Sequence, residues 1–138
     1  MKKILGIDYG LRRTGVAIGW VEQKMALPRE TIDIRQTPDL IGRLVTIIND
    51  EKPCALVVGM PLRPDGEPGQ DQVVKQFIEK LKLKTTVPVY IQDEAWSSQD
   101  AKAKTNHLSR KQKKQKGRID QVAAALFLQE FMEQENSF

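Results

Sequence analysis

The sequence contains a single cysteine and a single histidine in its 138 residues. Cys54 alone cannot close an internal disulfide, and His107 alone cannot assemble a zinc site. A reducing, cytoplasmic setting is the expectation. No stretch approaches the ~18 consecutive apolar residues that a membrane-spanning helix requires, so an integral membrane protein is not expected. The opening Met1-Lys2-Lys3 leads into Ile4-Leu5-Gly6-Ile7-Asp8, where a carboxylate ends the apolar run too early for a signal peptide. Internal repeats are absent. With 40% hydrophobic and 29% charged residues, the composition is that of a globular chain. Its length fits one domain over residues 1–138.

Charge is present and unevenly placed. The formal net charge is +4, yet Arg110, Lys111, Lys113, Lys114, Lys116 and Arg118 crowd into nine residues, RKQKKQKGR, without an acid among them. Removing those six charges leaves the remainder of the chain at −2. A concentrated positive segment on a slightly acidic body is the footprint of a phosphate-rich partner, and equally of a solvated loop that aids solubility.

Hydrophobic periodicity divides the chain into short elements. Lys2 to Tyr9 reads as a buried strand, Thr14 to Trp20 as its hairpin partner, and Met25 to Ile34 as a third strand. Pro28 removes a ladder donor from that third strand and assigns it to a sheet edge. Thr37-Pro38 reads as a helix start, with Thr37 capping and Pro38 in the first position. Leu40, Ile41, Leu44, Ile47 and Ile48 carry that helix to Asn49. Cys54 to Gly59 is an apolar run typical of a central parallel strand, and Cys54 itself reads as a small core residue. A Pro- and Gly-rich loop over Met60 to Gly69 precedes a helix over Asp71 to Leu83. Val87 to Gln92 is the next strand, Ser97 to Thr105 a short helix, and Ile119 to Met132 a long one whose Ala123-Ala124-Ala125 permits close packing. The order β-β-β-α-β-α-β-α-α predicts an antiparallel meander extended by two parallel strands. The result is a mixed five-stranded α/β sheet with helices on both faces.

In such a sheet, sites collect beyond the carboxyl ends of the parallel strands. Asp8 ends the first strand, Asp93 and Glu94 follow the fifth, and Asp120 opens the last helix directly after the basic run. Each also has a purely structural role open to it: Asp8-Tyr9-Gly10 makes a turn, Asp93-Glu94 a solvated loop, and Asp120 complements a helix dipole. Brought together, the carboxylates would repel one another and need a divalent cation, for which hard oxygen donors favour Mg²⁺ or Mn²⁺. Two such ions ~3.5–4 Å apart activate a water on one side of a phosphodiester and stabilise the leaving oxygen on the other. Carboxylates for metal and a basic segment for a nucleic-acid backbone together describe a nuclease.

Four motifs in order add a family. Gly6-Ile7-Asp8-Tyr9-Gly10 with Arg13 before Gly15-Val16-Ala17, then Gly59-Met60-Pro61 through Gly66, then Asp93-Glu94, and finally Gly117 to Ala124 resemble the YqgF/RuvX family of Holliday-junction-resolvase-like proteins. The resemblance spans essentially the whole chain. It implies a ribonuclease H-like fold with strand order 3-2-1-4-5 and a cytoplasmic, metal-dependent nuclease. It further implies processing of the 5′ end of pre-16S rRNA in ribosome biogenesis, with pre-ribosomal particles as partners and branched DNA as an alternative substrate. Carried onto this sequence, the catalytic and metal-binding set is Asp8, Glu94 and Asp120, with Asp93 of lower rank. Nucleic acid would be held by Arg13, Arg63 and the basic residues from Arg110 to Arg118. One departure is plain: Ala95 stands where the family motif has Arg, with Trp96 beside it. No guanidinium is then available at that position to fork onto a phosphate. In the order 3-2-1-4-5, Glu94 follows a strand two places from Asp8, about 10 Å away between strand axes.

Two other readings share these residues. A non-catalytic nucleic-acid-binding module uses the basic run equally well and accommodates Ala95. The GIDYG hairpin is also similar to the first phosphate loop of actin-like and sugar-kinase ATPases, which need two such domains around the nucleotide.

Overall fold

The computed structural model describes residues 2–60, 70–93 and 116–134, with the backbone alone for residues 70, 71, 93 and 116–121. Five strands form one sheet: β1 (Lys3–Asp8), β2 (Arg13–Trp20), β3 (Met25–Asp33), β4 (Ala55–Met60) and β5 (Val89–Asp93). Their order is β3-β2-β1-β4-β5. The first three pair antiparallel, and β4 and β5 add in parallel. The expected sheet and strand order are therefore what the chain adopts. Pro28 lies on edge strand β3 opposite Ala17, where the register slips between Val16 and Ala17; an edge tolerates the missing donor.

Among the described residues three helices cover the two faces: α1 (Leu40–Glu51), α2 (Gln70–Lys82) and α3 (Lys116–Gln134). The period-two alternation of the strands sorts their side chains. Leu5, Ile7, Val16, Ile18, Leu56 and Val58 pack with α1 and α2. Ile4, Ala17, Ala55 and Val57 pack with α3, under Phe127, Leu128, Phe131 and Met132. Phe127 and Leu128 are fully buried.

Four local expectations are corrected. Asp39, not Thr37, caps α1: its carboxylate accepts the Gly42 N–H at 3.0 Å. Thr37 instead donates its N–H to the Asp33 carbonyl in the turn that ends β3, which leaves Pro38 ahead of the cap. At its other end α1 runs past Asn49 to Glu51 and closes on Lys52 in the left-handed conformation, with the Lys52 N–H returned to the Ile48 carbonyl. α3 begins at Lys116, so Lys116 and Arg118 lie in its first turn. Cys54 is exposed, because it precedes β4 as a connecting residue, its N–H donating to the Lys3 carbonyl. The short helix expected over 97–105, and the loop over 61–69, lie outside the described residues.

Charged side chains fasten β3 to α1. Arg43 meets Glu30 through Nε at 3.1 Å and Nη2 at 2.8 Å. Glu30 holds the Arg43 guanidinium more firmly protonated than usual, through the hydrogen bond first and the charge second. Gln129 of α3 reaches the β3 edge, accepting from the Ala26 N–H at 3.0 Å and donating to the Lys24 carbonyl.

Candidate active site

Asp8 is the last residue of β1, half-buried and in register with Gly15 of β2. Alternation along β1 places Ile4, Gly6 and Asp8 on the side covered by α3. The course of that helix follows from two glycines. A Cβ at Gly6 would lie 3.1 Å from the Ala124 carbonyl oxygen and 3.1 Å from Leu128 Cβ. One at Gly19 would lie 3.1 Å from Leu128 Cδ2 and 3.1 Å from Met132 Cε. Gly19 is the register partner of Ile4. Helix numbers thus rise as β1 numbers fall, and α3 runs antiparallel to β1 at close range.

This direction brings two of the sequence-predicted acids to one end. Asp120 precedes Ala124 by four residues, about 6 Å along the helix. Asp8 follows Gly6 by two, about 6.7 Å along the strand. Asp8 and the backbone of residue 120 therefore stand at the same level, on the same side of the sheet.

The neighbouring strands complete the row. β1 pairs with β4 up to Ile7 opposite Val58, and continuing that register sets Asp8 beside Gly59. Gly59 in turn pairs with Gln92, and Met60 with Asp93. Tyr90 touches Phe131 of α3, so alternation puts buried Gln92 on the Asp8 side. Gly59 contributes no side chain between Asp8 and Gln92, which stand two strand spacings, about 10 Å, apart. Glu94 lies outside the described residues, as do Arg63, Arg110, Lys111, Lys113 and Lys114. Lys116 and Arg118 are in the first turn of α3, where no acidic residue sits. Cations there run against the helix dipole.

The turn after Asp8 is held by contacts that the residue pattern alone does not reveal. Arg12 and Arg13 both place Nε 3.7 Å from an Asp33 carboxylate oxygen. Asp33 also accepts the Arg35 N–H at 2.9 Å, and Ile34 donates its N–H to the Arg12 carbonyl. Exposed pairs of this length contribute about 0–1 kcal/mol; their consequence is positional, fixing Arg13 beside the strand end that carries Asp8. The available signal was an opposite-charge pair, Arg13 facing Asp33 across the β2–β3 hairpin. Gly10 is required in this turn, because a Cβ there would sit 2.2 Å from the Arg13 carbonyl oxygen.

Among the described residues no group of three metal-ligating side chains comes together. The donors that the sequence nominates are hard carboxylate oxygens, and Gly59, the strand neighbour of Asp8, has no side chain. That donor chemistry fits Mg²⁺ or Mn²⁺ rather than a softer ion.

Known proteins resemble this chain over nearly its whole length. The family model described as "RuvX: Holliday junction resolvase" matches residues 2–134. The chain belongs to the RuvX family. Relatives of this RuvX-family chain include a protein of Nitratidesulfovibrio vulgaris (strain DP4), 37% identical over 131 residues that cover 94% of this chain and 92% of the relative. A protein of Roseiflexus sp. (strain RS-1) is 33% identical over 132 residues, covering 95% and 94%. Both bear the name "Putative pre-16S rRNA nuclease". Thermus thermophilus RuvC superposes with a TM-score of 0.57 at 17% identity, covering 95% of this chain and 96% of that one. Fowlpox virus resolvase, solved with Holliday junction DNA, gives 0.59 at 13%, covering 96% and 97%. These two likenesses establish the fold, which is ribonuclease H-like. Family membership makes the chain a hydrolase of the nuclease class, acting on nucleic acid.

Proposed function

We propose that this chain is a single-domain, divalent-metal-dependent nuclease whose substrate is structured RNA, with the 5′ end of pre-16S rRNA as its target. Asp8, Glu94 and Asp120 would hold Mg²⁺ or Mn²⁺ as a two-ion site, with Asp93 in a lesser role. The observation that carries this reading is the antiparallel course of α3 over Gly6, which sets residue 120 level with Asp8. The names of the relatives, which align over nine-tenths of the chain, support RNA as substrate. A divalent ion bound here supplies charge neutralisation and a lowered water pKa.

The chain's own groups do the remaining work. Asp8 and Asp120 orient the attacking water on the α3 side of the sheet, and Gly59 leaves room for the scissile phosphate between β1 and β5. Water adds to phosphorus, the bridging P–O bond breaks, and the departing oxygen leaves as a hydroxyl. Arg13, steadied by Asp33, faces the phosphates nearest the reaction, with Arg63, Arg110, Lys111, Lys113, Lys114, Lys116 and Arg118 along the flanking backbone. The cationic first turn of α3 supports this, since an external anion offsets its conflict with the helix dipole. A cytoplasmic location and association with pre-ribosomal particles complete the reading; no described helix is long and apolar enough to cross a membrane.

The deciding experiment compares pre-16S 5′-end fragments, single strands and four-way DNA junctions as substrates in Mn²⁺ and in chelator. Cleavage of the RNA fragments, lost in chelator and restored by metal, is the expected result. Preferred cleavage of the junction would move the chain to branched DNA, a substrate that its fold relatives are seen to bind. Binding without cleavage of any substrate would make it a non-catalytic module.

A further inference from the structure

The face of the sheet opposite α3 carries a feature that the nuclease site does not use. Three clefts follow one another along the seam between α1 and α2. The first, about 480 Å³, opens at Tyr9 and Gly10, the residues that directly follow Asp8. It shares Asp39, Ile41 and Lys80 with the second, about 640 Å³. The second shares Leu83 and Lys84 with the third, about 630 Å³, which Lys52 and Lys82 also line. Through these shared residues the three adjoin as one row, a groove from Tyr9 after β1 to Lys52 and Lys82 at the ends of α1 and α2. Its length follows that of α1, whose 12 residues span about 18 Å.

The lining of this groove has a consistent character. Lys80 lines the first two clefts, Lys84 the second and third, and Lys52 and Lys82 the third, and among the described residues none of the four forms an ion pair. One carboxylate, Asp39, borders the groove, and its oxygen is engaged with the Gly42 N–H as the cap of α1. Apolar side chains such as Leu40, Ile41 and Val45 line the first two clefts, Asn49, Thr85 and Thr86 join the lining of the third, and at the mouth Tyr9 stacks on Phe77 with ring centroids 4.2 Å apart. Cations spaced along a groove with aromatic surface at one end are the elements that hold single-stranded nucleic acid. Four such lysines over ~18 Å can neutralise a short run of backbone phosphates on an unpaired strand. An acidic peptide would satisfy the same charges, but the groove begins at Tyr9, one residue from Asp8, which favours a segment of the nucleic acid as its occupant.

We propose that the α1–α2 seam is a track for an unpaired segment of the substrate, so that the preferred substrate is a duplex with a single-stranded tail. This rests on the nuclease reading and deepens it, since it assigns a second binding surface across the sheet from the carboxylates.

The test uses the full chain. Cleavage-inactive Asp8→Asn protein is titrated with a blunt RNA duplex and with the same duplex bearing a five-nucleotide tail at either end of one strand. At ~0.15 M salt each phosphate neutralised by a lysine is worth roughly fourfold in affinity, so the tail should tighten binding tenfold or more. Lys52→Ala, Lys80→Ala and Lys84→Ala combined should abolish that gain. They should also flatten the salt dependence for the tailed duplex by about 0.7 for each phosphate no longer neutralised. Blunt-duplex affinity, melting temperature, and cleavage of blunt duplex by the otherwise native triple variant should not change. A tail without effect on a chain that still cleaves blunt duplex overturns the track alone. A tail gain that survives the triple variant overturns it as well. Binding of a poly-glutamate peptide that the triple variant loses, with no tail effect, overturns it in favour of a protein partner. Absence of binding and cleavage on every substrate overturns the track together with the nuclease reading.

Discussion

The two faces of the sheet are built on opposite principles. Toward α1 and α2 the strands present Leu5, Ile7, Val16, Ile18, Leu56 and Val58, branched side chains that keep the helices at full packing distance. Toward α3 they present Gly6, Ala17, Gly19, Ala55 and Val57, and the helix answers with Ala124 at the point of closest approach. Small residues on both partners let α3 descend until its backbone nearly touches β1. Burial stabilises both faces, at about 1.5–3 kcal/mol per large apolar side chain. On the α3 face close packing has a further result, because a helix lowered onto β1 brings residue 120 level with Asp8, the pair proposed for the chemistry. The wider face leaves a seam between its two helices instead. Local partners, more than residue type, mark the acids that serve the fold: Asp39 caps a helix, Asp33 fastens a turn, and Glu30 fastens a helix to an edge strand.

Substitutions on the two faces sharpen or break this contrast. The largest effect is expected from Asp8→Asn, which should reduce cleavage about a thousandfold while leaving nucleic-acid affinity and melting temperature near native. Rates measured under single-turnover conditions check it, and a near-native rate would separate Asp8 from the chemistry. Phe127→Ala removes a fully buried side chain of α3 and should cost about 3–5 kcal/mol in urea unfolding. Gly6→Ala tests the close approach directly. Its methyl meets the Ala124 carbonyl, a backbone atom that cannot rotate away, so a loss of about 1–3 kcal/mol is expected, together with cleavage, as α3 lifts from β1. Ile7→Val, the adjacent residue on the other face, should cost about 0.5–1.5 kcal/mol and leave cleavage intact; equal losses of activity in the two variants would erase the distinction between faces. The smallest effect belongs to Asp39→Ala, about 1 kcal/mol from the missing cap, read as a small drop in melting temperature.

Much of this architecture is legible in the sequence, and the parts that are not share a physical cause. The strands announce themselves by apolar runs and by β-branched residues, and Pro28 places β3 at the edge because a missing donor has only one tolerable location. Ala123-Ala124-Ala125 foretells a close contact, though not with which strand, since that depends on long-range packing against Gly6. The cap of α1 misleads because Thr37-Pro38 and Asp39 are both valid helix starts. The choice falls to the β3 turn, which uses the Thr37 N–H for the Asp33 carbonyl. Cys54 reads as core by residue type and is exposed by its place ahead of β4. The tie between Arg13 and Asp33 is invisible until the hairpin register is known, twenty residues apart in the chain and opposite in the sheet. Of the acids nominated for catalysis, Asp8 and Asp120 are brought to one end by topology; Glu94 lies outside the described residues.

The most direct test of the shared carboxylate site is calorimetric titration of Mn²⁺ into the native chain, Asp8→Asn and Asp120→Asn, without nucleic acid. Two acids on separate elements that hold the same ions predict saturable binding to the native protein and its loss in each single variant. Unchanged Mn²⁺ affinity in either variant would mean that β1 and α3 do not share a metal, whatever their proximity.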